Sequence, residues 1–307
     1  MSDLATIVVL TYNGEKYLIE LLESLYNQSY RPLEIVIADD ASQDKTVDII
    51  KQWKSERSNS EFTIKIIENK KNQGRGLNRL SVINYITGKF IFISDQDDIW
   101  LSNKVEKQIL FLKQNPDCFS VSCDRKLIND HGNIIIDSEQ EYRNTLHKNK
   151  IELVEALDFK NSNNYPANCI CFRNDDLNKV FSISENVKEL DYFFRAMLAA
   201  KGKIGFINES LILYRIHSNN LSKNYFIEVS NKWRDIYNTK LKLDKKYNKI
   251  YEIDDKLIVE ELRNRFSIEV KAYYPYRKRR FPHYNALITL FKAVIKRKKG
   301  VFLIYGK

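Results

Sequence analysis

The chain has few of the residues that keep polypeptides disordered. Its 307 residues include only 9 glycines and 5 prolines, against 43% hydrophobic and 12% aromatic residues. A sequence with many large apolar side chains and few chain breakers buries a core, which excludes an intrinsically disordered protein. The length allows one large domain or two ordinary ones.

Cysteines and long apolar runs are scarce as well. The four cysteines lack the paired spacing of a zinc site and are expected to be reduced structural residues. No apolar stretch reaches the roughly 18–20 residues that a transmembrane helix needs. Residues 1–4 lack the basic start of a secretory signal. We therefore expect a cytoplasmic protein.

Negative charge is absent from the C-terminal end of the chain. Residues 271–307 carry eleven Lys and Arg and no Asp or Glu, whereas the whole chain has a net charge of +10. Helically spaced apolar residues over 287–295 precede the basic run 296–299, which predicts an amphipathic helix. This helix either lies on an anionic membrane surface or packs on the domain. Nucleic acid is not an expected partner, because the basic segment follows no recognised reading module.

Apolar runs and helical patterns alternate along the first hundred residues, which predicts an α/β fold with a mostly parallel, doubly wound sheet. The predicted strands cover 5–10, 34–38, 63–67 and 89–94, and the helices cover 15–27, 45–56 and 75–87. Beyond a helix at 103–115 the pattern is less regular. It predicts strands at 119–123, 167–172, 204–207 and 211–214, a polar loop region over 128–164, a helix at 191–201 and a mostly helical segment over 225–272.

A cluster of carboxylates directly follows the predicted strand 89–94. Asp95, Asp97 and Asp98 lie within four positions. Crowded anions are costly unless a cation lies among them, and a hard divalent cation with oxygen ligands is the simplest solution. The alternative is a solvated turn that leads into the next helix, which Ser102 would cap.

Polar residues also end the first two predicted strands, at 11–13 and 39–40. In a parallel sheet these strand ends meet the acidic cluster at one edge, where open α/β sheets bind ligands. An aromatic ring, a carboxylate and a metal site together suit a nucleoside diphosphate.

Five segments in this order resemble the family 2 glycosyltransferases, which have the GT-A fold. The resemblance covers about residues 4–222, and it implies a Rossmann-like, mostly parallel central sheet flanked by helices. It divides the chain into a nucleotide-binding half (1–100), an acceptor-binding half (101–222) and a helical, basic extension (223–307). The segments are Val9 to Gly14, Ile37 to Thr46, Asn72 to Asn78, Asp95 to Asp98 and Leu211 to Asn220.

The resemblance also implies roles for individual residues. Tyr12 would stack on a pyrimidine base and Asp40 would accept a hydrogen bond from it. His217 is either a metal ligand or a structural histidine, Asp98 orients the acceptor or caps a helix, and Asn78 contacts the donor or packs locally. The expected donor-binding residues are Thr11, Tyr12, Asn13, Asp40, Asn78 and Asp95; the metal ligands are Asp95, Asp97 and His217; the acceptor residues are Asp98 and Trp100.

The implied reaction is inverting transfer by single displacement, in which a carboxylate deprotonates the acceptor hydroxyl. Asp191 matches the position of this base, with a helix N-cap as its alternative role and Glu189 as a minor candidate. A Mn²⁺ or Mg²⁺ ion would stabilise the departing nucleoside diphosphate. Segments 94–100 and 214–220 look most like bacterial rhamnosyltransferases of surface polysaccharide synthesis. The expected donor is therefore dTDP-rhamnose first and a UDP-sugar second.

The expected acceptor is a glycan or a lipid-linked oligosaccharide, which would place the enzyme peripherally on the inner face of the cell membrane. Single-sugar addition is expected, because the Gln-x-x-Arg-Trp signature of processive synthases is absent. Two alternatives remain open: a nucleotide- or glycan-binding protein without turnover, and a nucleotidyltransferase on a similar α/β fold.

Overall fold

The computed structural model describes residues 3–138, 166–175, 203–218 and 220, the single residues 177 and 198, and the segments 269–271, 294–297 and 300–303. Asp191 and Glu189, all of the predicted helix 191–201 except Leu198, and most of the extension lie outside these residues. In the part of the chain described, no helix is both long and apolar enough to cross a bilayer.

The first half forms the parallel sheet that the sequence predicts. Its four parallel strands lie in the order β3 (Phe62–Glu68), β2 (Leu33–Asp39), β1 (Ala5–Thr11) and β4 (Phe90–Ser94). Every residue of β2 is buried, as is nearly all of β1, because helices cover both faces of a parallel sheet.

Four α-helices pack around this sheet. Leu18, Leu21, Leu22 and Leu25 form the buried stripe of the first, at the spacing of one helix face. The helix predicted over 75–87 ends at Ser81, and a short 3-10 helix follows at 83–85. Several of the residues after Ser81 are β-branched, which disfavours a continued helix. The helices are α1 (Leu18–Tyr26), α2 (Thr46–Arg57), α3 (Arg75–Ser81) and α4 (Lys104–Gln114).

The second half extends the same sheet with mixed strand directions. Beyond β4 the order is β8 (Cys171–Arg173), β6 (Cys118–Ile128), β9 (Lys203–Arg215) and β5 (Ile99–Trp100). β8 is antiparallel to β4 and β6, whereas β9 is parallel to β6. β7 (Ile134–Ile136) pairs with the end of β6, within the region predicted as a loop.

Two details of this half differ from the sequence prediction, and one agrees with it. The strands predicted at 204–207 and 211–214 form the single strand β9, because pairing along the length of β6 holds the polar residues between them extended. The strand predicted at 167–172 begins as a 3-10 helix at 167–169. All four cysteines are buried free thiols, as expected for reduced structural residues.

The described residues of the extension are strands, so the helices predicted there are wrong at these positions. β10 (Glu269–Lys271), β11 (Val294–Arg297) and β12 (Gly300–Leu303) form an antiparallel sheet. Gly300 pairs with Arg297 at one end of this sheet. Backbone pairing between distant segments has overridden the helical spacing of the apolar residues.

Glu34 is a buried carboxylate that ties β2 to its neighbours at the edge of the sheet opposite the strand ends. Its side chain is 2% exposed and pairs with Lys65. It accepts hydrogen bonds from the hydroxyls of Thr6, at 2.7 Å, and Thr87, at 2.8 Å. Burial raises the pKa of Glu34, but the hydrogen bonds from Lys65, Thr6 and Thr87 outweigh burial and lower it.

Replacing Glu34 with glutamine is expected to lower the free energy of unfolding at pH 7 by about 1–3 kcal/mol, because charge-assisted bonds are lost. A pKa lowered by folding stabilises the protein above the unfolded value of about 4.3, and this contribution is lost as pH falls through the folded pKa. The difference between variant and wild type should therefore shrink in acid. Urea unfolding at pH 7 and below pH 4 measures it. Glu68→Gln, in a half-exposed pair with Lys51, is the control; a pH-independent difference would contradict this account.

Candidate active site

The ends of β1, β2 and β4 meet at one edge of the sheet, as predicted, and the end of β9 joins them. Tyr12 follows β1, Asp40 follows β2, and Asp95 follows β4. His217 follows β9 and contacts Asp97, with 2.8 Å between His217 Nε2 and Asp97 Oδ2. Residues far apart in sequence therefore form one polar cluster at this edge.

The first strand end presents an exposed ring on a fixed turn. The Tyr12 side chain is 44% exposed. Asn13 has φ = 48°, a left-handed conformation that asparagine tolerates. Its backbone N–H donates to Ser42 Oγ at 2.9 Å, and its side-chain oxygen accepts from the Gln43 N–H at 2.8 Å. The turn after β1 is thus tied to the turn after β2.

The second strand end carries two buried carboxylates with different partners. Asp39 accepts hydrogen bonds from Thr11 Oγ1 at 2.8 Å and from the Ser42 hydroxyl at 2.6 Å. Asp40 accepts from the backbone N–H groups of Gln73, at 2.9 Å, and Gly74, at 2.8 Å. Asp39 therefore holds its own turn together, and Asp40 anchors the loop before α3.

Two predicted donor-binding residues lie beneath this edge. Thr11 and Asn78 are 1% and 2% exposed. The Asn78 amide donates to the Ala38 carbonyl at 3.0 Å and accepts from Asn69 at 2.8 Å. These internal bonds favour the local packing role for Asn78 over a donor contact.

The acidic cluster contains three carboxylates in three different environments. Asp95 forms a half-exposed ion pair with Arg75 at 3.1 Å. Asp97 contacts His217 and, at 3.4 Å, the Asn220 amide. Asp98 is fully buried and accepts hydrogen bonds from Asn168 at 2.6 Å and the Arg215 backbone at 3.1 Å.

Burial, and then the negative charges of Asp97 and Asp95, raise the pKa of Asp98 well above its usual range. Its hydrogen bonds bridge the cluster to β9 and to the 3-10 helix at 167–169. Trp100, the other residue expected to contact an acceptor, is 2% exposed. Its ring lies 3.8 Å below the Lys104 ammonium and packs against Phe92. In the structure both side chains support the site from within the core.

Arg215 is a buried cation to which the sequence analysis gave no role. Its side chain is 1% exposed and donates to Glu20 Oε2 at 2.8 Å. It also donates to the backbone carbonyls of Asp97 at 3.0 Å and Asp130 at 3.1 Å. The guanidinium lies 4.7 Å from the Tyr17 ring, which in turn packs against His217. Its position in the Leu211–Asn220 segment, two residues before His217, was the available signal.

A divalent cation fits part of this arrangement. Among the residues described, no three His, Cys, Asp or Glu side chains lie close enough to enclose a metal ion by themselves. Asp97 and His217 supply one carboxylate and one imidazole side by side, with Asp95 two residues away in sequence. Magnesium-type sites commonly use one or two carboxylates and complete their shell with substrate phosphates. The residues present therefore suit a cation shared with a diphosphate.

The fold and the polar cluster at the strand ends define an α/β protein of the GT-A class. The structure of S. aureus TarS 1-349 in complex with UDP-GlcNAc matches with a TM-score of 0.59 at 18% identity, over 85% of this chain and 67% of that one. A mannosyltransferase from Pyrobaculum calidifontis in complex with GDP-Man and Mn2+ matches with a TM-score of 0.56 at 15% identity, over 86% and 74%. Residues 6–181 match the glycosyl transferase family 2, and the chain belongs to this family.

Sequence relatives carry the same assignment. An uncharacterized glycosyltransferase of Methanocaldococcus jannaschii is 30% identical over 69% of this chain and 71% of its own length. A UDP-Glc:alpha-D-GlcNAc-diphosphoundecaprenol beta-1,3-glucosyltransferase of Escherichia coli is 27% identical over 75% and 84%. The protein is therefore a glycosyltransferase, as the sequence analysis predicted.

Proposed function

We propose that this enzyme is an inverting, metal-dependent glycosyltransferase. It moves a sugar from a nucleoside diphosphate donor to a hydroxyl group of a glycan or lipid-linked acceptor, in the synthesis of a bacterial surface polysaccharide. The observation that carries the proposal is the meeting of Tyr12, Asp40, Asp95, Asp97 and His217 at one sheet edge. A base-stacking ring and a cation-binding pair are the two elements that a nucleotide-sugar donor needs.

The donor lies along this edge with its base at Tyr12 and its diphosphate at Asp97 and His217. A carboxylate has about four acceptor positions. Asp40 already accepts from two backbone N–H groups and from Asn69 at 3.1 Å, which leaves one position for a base imide. Asp95, which forms an ion pair with Arg75, would contact the ribose and the cation. Thr11 and Asn13 support the base site through the turns described above.

Asp97 and His217 would hold the cation, with Asp95 as a third candidate ligand. When bound, Mn²⁺ or Mg²⁺ neutralises charge that develops on the leaving diphosphate. Asp191 takes the proton of the acceptor hydroxyl while that oxygen attacks the anomeric carbon. The bond from this carbon to the diphosphate oxygen breaks in the same displacement, which inverts the anomeric configuration.

UDP-sugars are the first donors to test, ahead of dTDP-rhamnose. The E. coli relative is named for UDP-glucose and for a diphosphoundecaprenol-linked acceptor. A relative in Bacillus subtilis, 28% identical over 38% of this chain, is named a putative teichuronic acid biosynthesis glycosyltransferase. The first name supports a lipid-linked acceptor, and the second supports a teichuronic acid-like glycan as the product.

We include a membrane contact in the proposal. A lipid-linked acceptor lies at the cytoplasmic face of the membrane, and segment 271–307 has eleven cations and no acidic residue. Basic residues near anionic lipid contribute about 1 kcal/mol each. Sedimentation of the full chain with phosphatidylglycerol vesicles, compared with phosphatidylcholine vesicles, tests the contact; equal binding to both would remove it.

The function is tested by nucleoside diphosphate release with Mn²⁺ and a lipid-linked sugar acceptor. The donors compared are UDP-glucose, UDP-GlcNAc, dTDP-rhamnose and GDP-mannose. Transfer from one donor supports the proposal, whereas donor binding without transfer from any of them favours a binding protein. Release of pyrophosphate from a nucleoside triphosphate would instead indicate a nucleotidyltransferase.

The Asp191→Asn variant is expected to bind the active donor within about threefold of wild type and to lose roughly 10²–10⁴-fold in transfer, because the general base is gone. Calorimetry measures the binding and product release measures the transfer. Glu189→Gln is the matched control and should retain most activity. The opposite ranking of the two variants would assign the base to Glu189.

A further inference from the structure

The side chain of Gln96 hydrogen-bonds both polar groups of the Tyr12 backbone. The Tyr12 N–H donates to Gln96 Oε1 at 2.9 Å, and Gln96 Nε2 donates to the Tyr12 carbonyl at 3.0 Å. Because one partner is an obligate donor and the other an obligate acceptor, they also fix which way the carboxamide points. The N–H and the carbonyl belong to the peptide groups on either side of the Tyr12 Cα, so the two bonds hold the backbone of this residue in position and in orientation.

This pair of bonds begins where the sheet ends. Backbone pairing between β1 and β4 runs from Ala5–Phe90 to Val9–Ser94 and stops there. Tyr12 lies three residues beyond the last pair, and its ring is 44% exposed. An exposed ring gains little packing, so its position depends on how firmly its backbone is held. The Gln96 carboxamide therefore holds the Tyr12 backbone in place, as pairing with β4 holds residues 5–9.

Gly14 provides the space that the carboxamide occupies. A Cβ atom at position 14 would lie 2.4 Å from Gln96 Oε1 and 2.7 Å from Gln96 Cδ. Both distances are far inside van der Waals contact, so any larger residue displaces the amide from Tyr12. The displaced group is the end of a flexible side chain, which makes the change tolerable for the fold. Gly14 therefore gives a way to break the contact without substituting Gln96.

We infer that Gln96 is a positioning residue for donor binding: it sets the Tyr12 ring against the nucleobase. Gln96 lies between Asp95 and Asp97 in the chain, so the same segment that presents the cation ligands also fixes the base-stacking ring. The base site and the diphosphate site thus keep a constant separation. This inference rests on the proposed function, in which Tyr12 stacks on the base.

The test compares UDP with inorganic pyrophosphate as probes, both with Mn²⁺, by calorimetry on the full chain. Gln96→Ala and Gly14→Ala are each expected to weaken UDP binding about fivefold to tenfold, since two exposed hydrogen bonds are lost. Pyrophosphate binding should stay within about twofold in both variants. Gln52→Ala, which removes an exposed α2 amide bonded to Glu56, is the control and should change neither.

The outcome is decided by a double-mutant cycle with Tyr12→Ala. If Gln96 acts through the ring, Gln96→Ala has little further effect on UDP binding once the ring is gone. Additive losses, or equal weakening of UDP and pyrophosphate, would overturn the inference and indicate a general structural role. A Tyr12→Ala variant that binds UDP like wild type would instead refute the stacking role in the proposed function. Thermal midpoints of all variants verify folding.

Discussion

The Asp97→Asn variant should lose roughly 10³-fold in turnover, about 4 kcal/mol of transition-state stabilisation. Asparagine preserves the shape of the side chain and an acceptor oxygen for His217, but it removes the charge that holds the cation. The fold should not suffer, because Asp97 contributes to the repulsion acting on buried Asp98. Nucleoside diphosphate release as a function of Mn²⁺ concentration measures the loss, and a thermal midpoint near that of wild type verifies the fold.

The matched control for this variant is Asp137→Asn. The Asp137 side chain is 80% exposed and pairs only with Lys126 at the surface among the ion pairs described, so its loss should leave turnover unchanged. Wild-type turnover by Asp97→Asn with the same Mn²⁺ dependence would remove Asp97 from the metal site. The proposal for the diphosphate site would fail with it.

The second large effect is expected at Arg215. Arg215→Met should lower the free energy of unfolding by about 2–5 kcal/mol, because the carbonyls of Asp97 and Asp130 both lose a charged donor. This corresponds to a fall of roughly 5–15 °C in the thermal midpoint. Transfer should fall as well, since the segment that carries Asp97 loses its anchor to β9. Calorimetric melting and product release measure the two effects.

Two further variants make this prediction specific. Arg215→Lys should be nearly as harmful, since an ammonium group cannot reproduce the spread of donors in a guanidinium. Lys51→Met removes an exposed cation from its pair with Glu68 and should cost less than about 1 kcal/mol. An Arg215→Met variant with the thermal midpoint and turnover of wild type would show that the buried contacts of Arg215 contribute to neither stability nor activity.

Local patterns predicted most of the first half. Uninterrupted apolar runs such as Ile7 to Val9 indicate strands covered on both faces, and leucines at helical spacing indicate amphipathic helices. The same reasoning failed at β9 and in the extension. There, pairing with a distant strand decides whether a segment is extended, and no local pattern records that partner.

The sequence determined which chemical groups end each strand, because alternating strands and helices bring parallel strand ends to one edge. Tertiary structure alone decided which contacts each of these groups makes. Asp39 and Asp40 are adjacent carboxylates, yet one ties its own turn and the other anchors the loop before α3. The burial of Asp98, the central contacts of Arg215, and the carboxamide pairing between Gln96 and Tyr12 all depend on residues more than 60 positions apart. Hydrogen-bond partners at such separations are fixed only when the chain has folded.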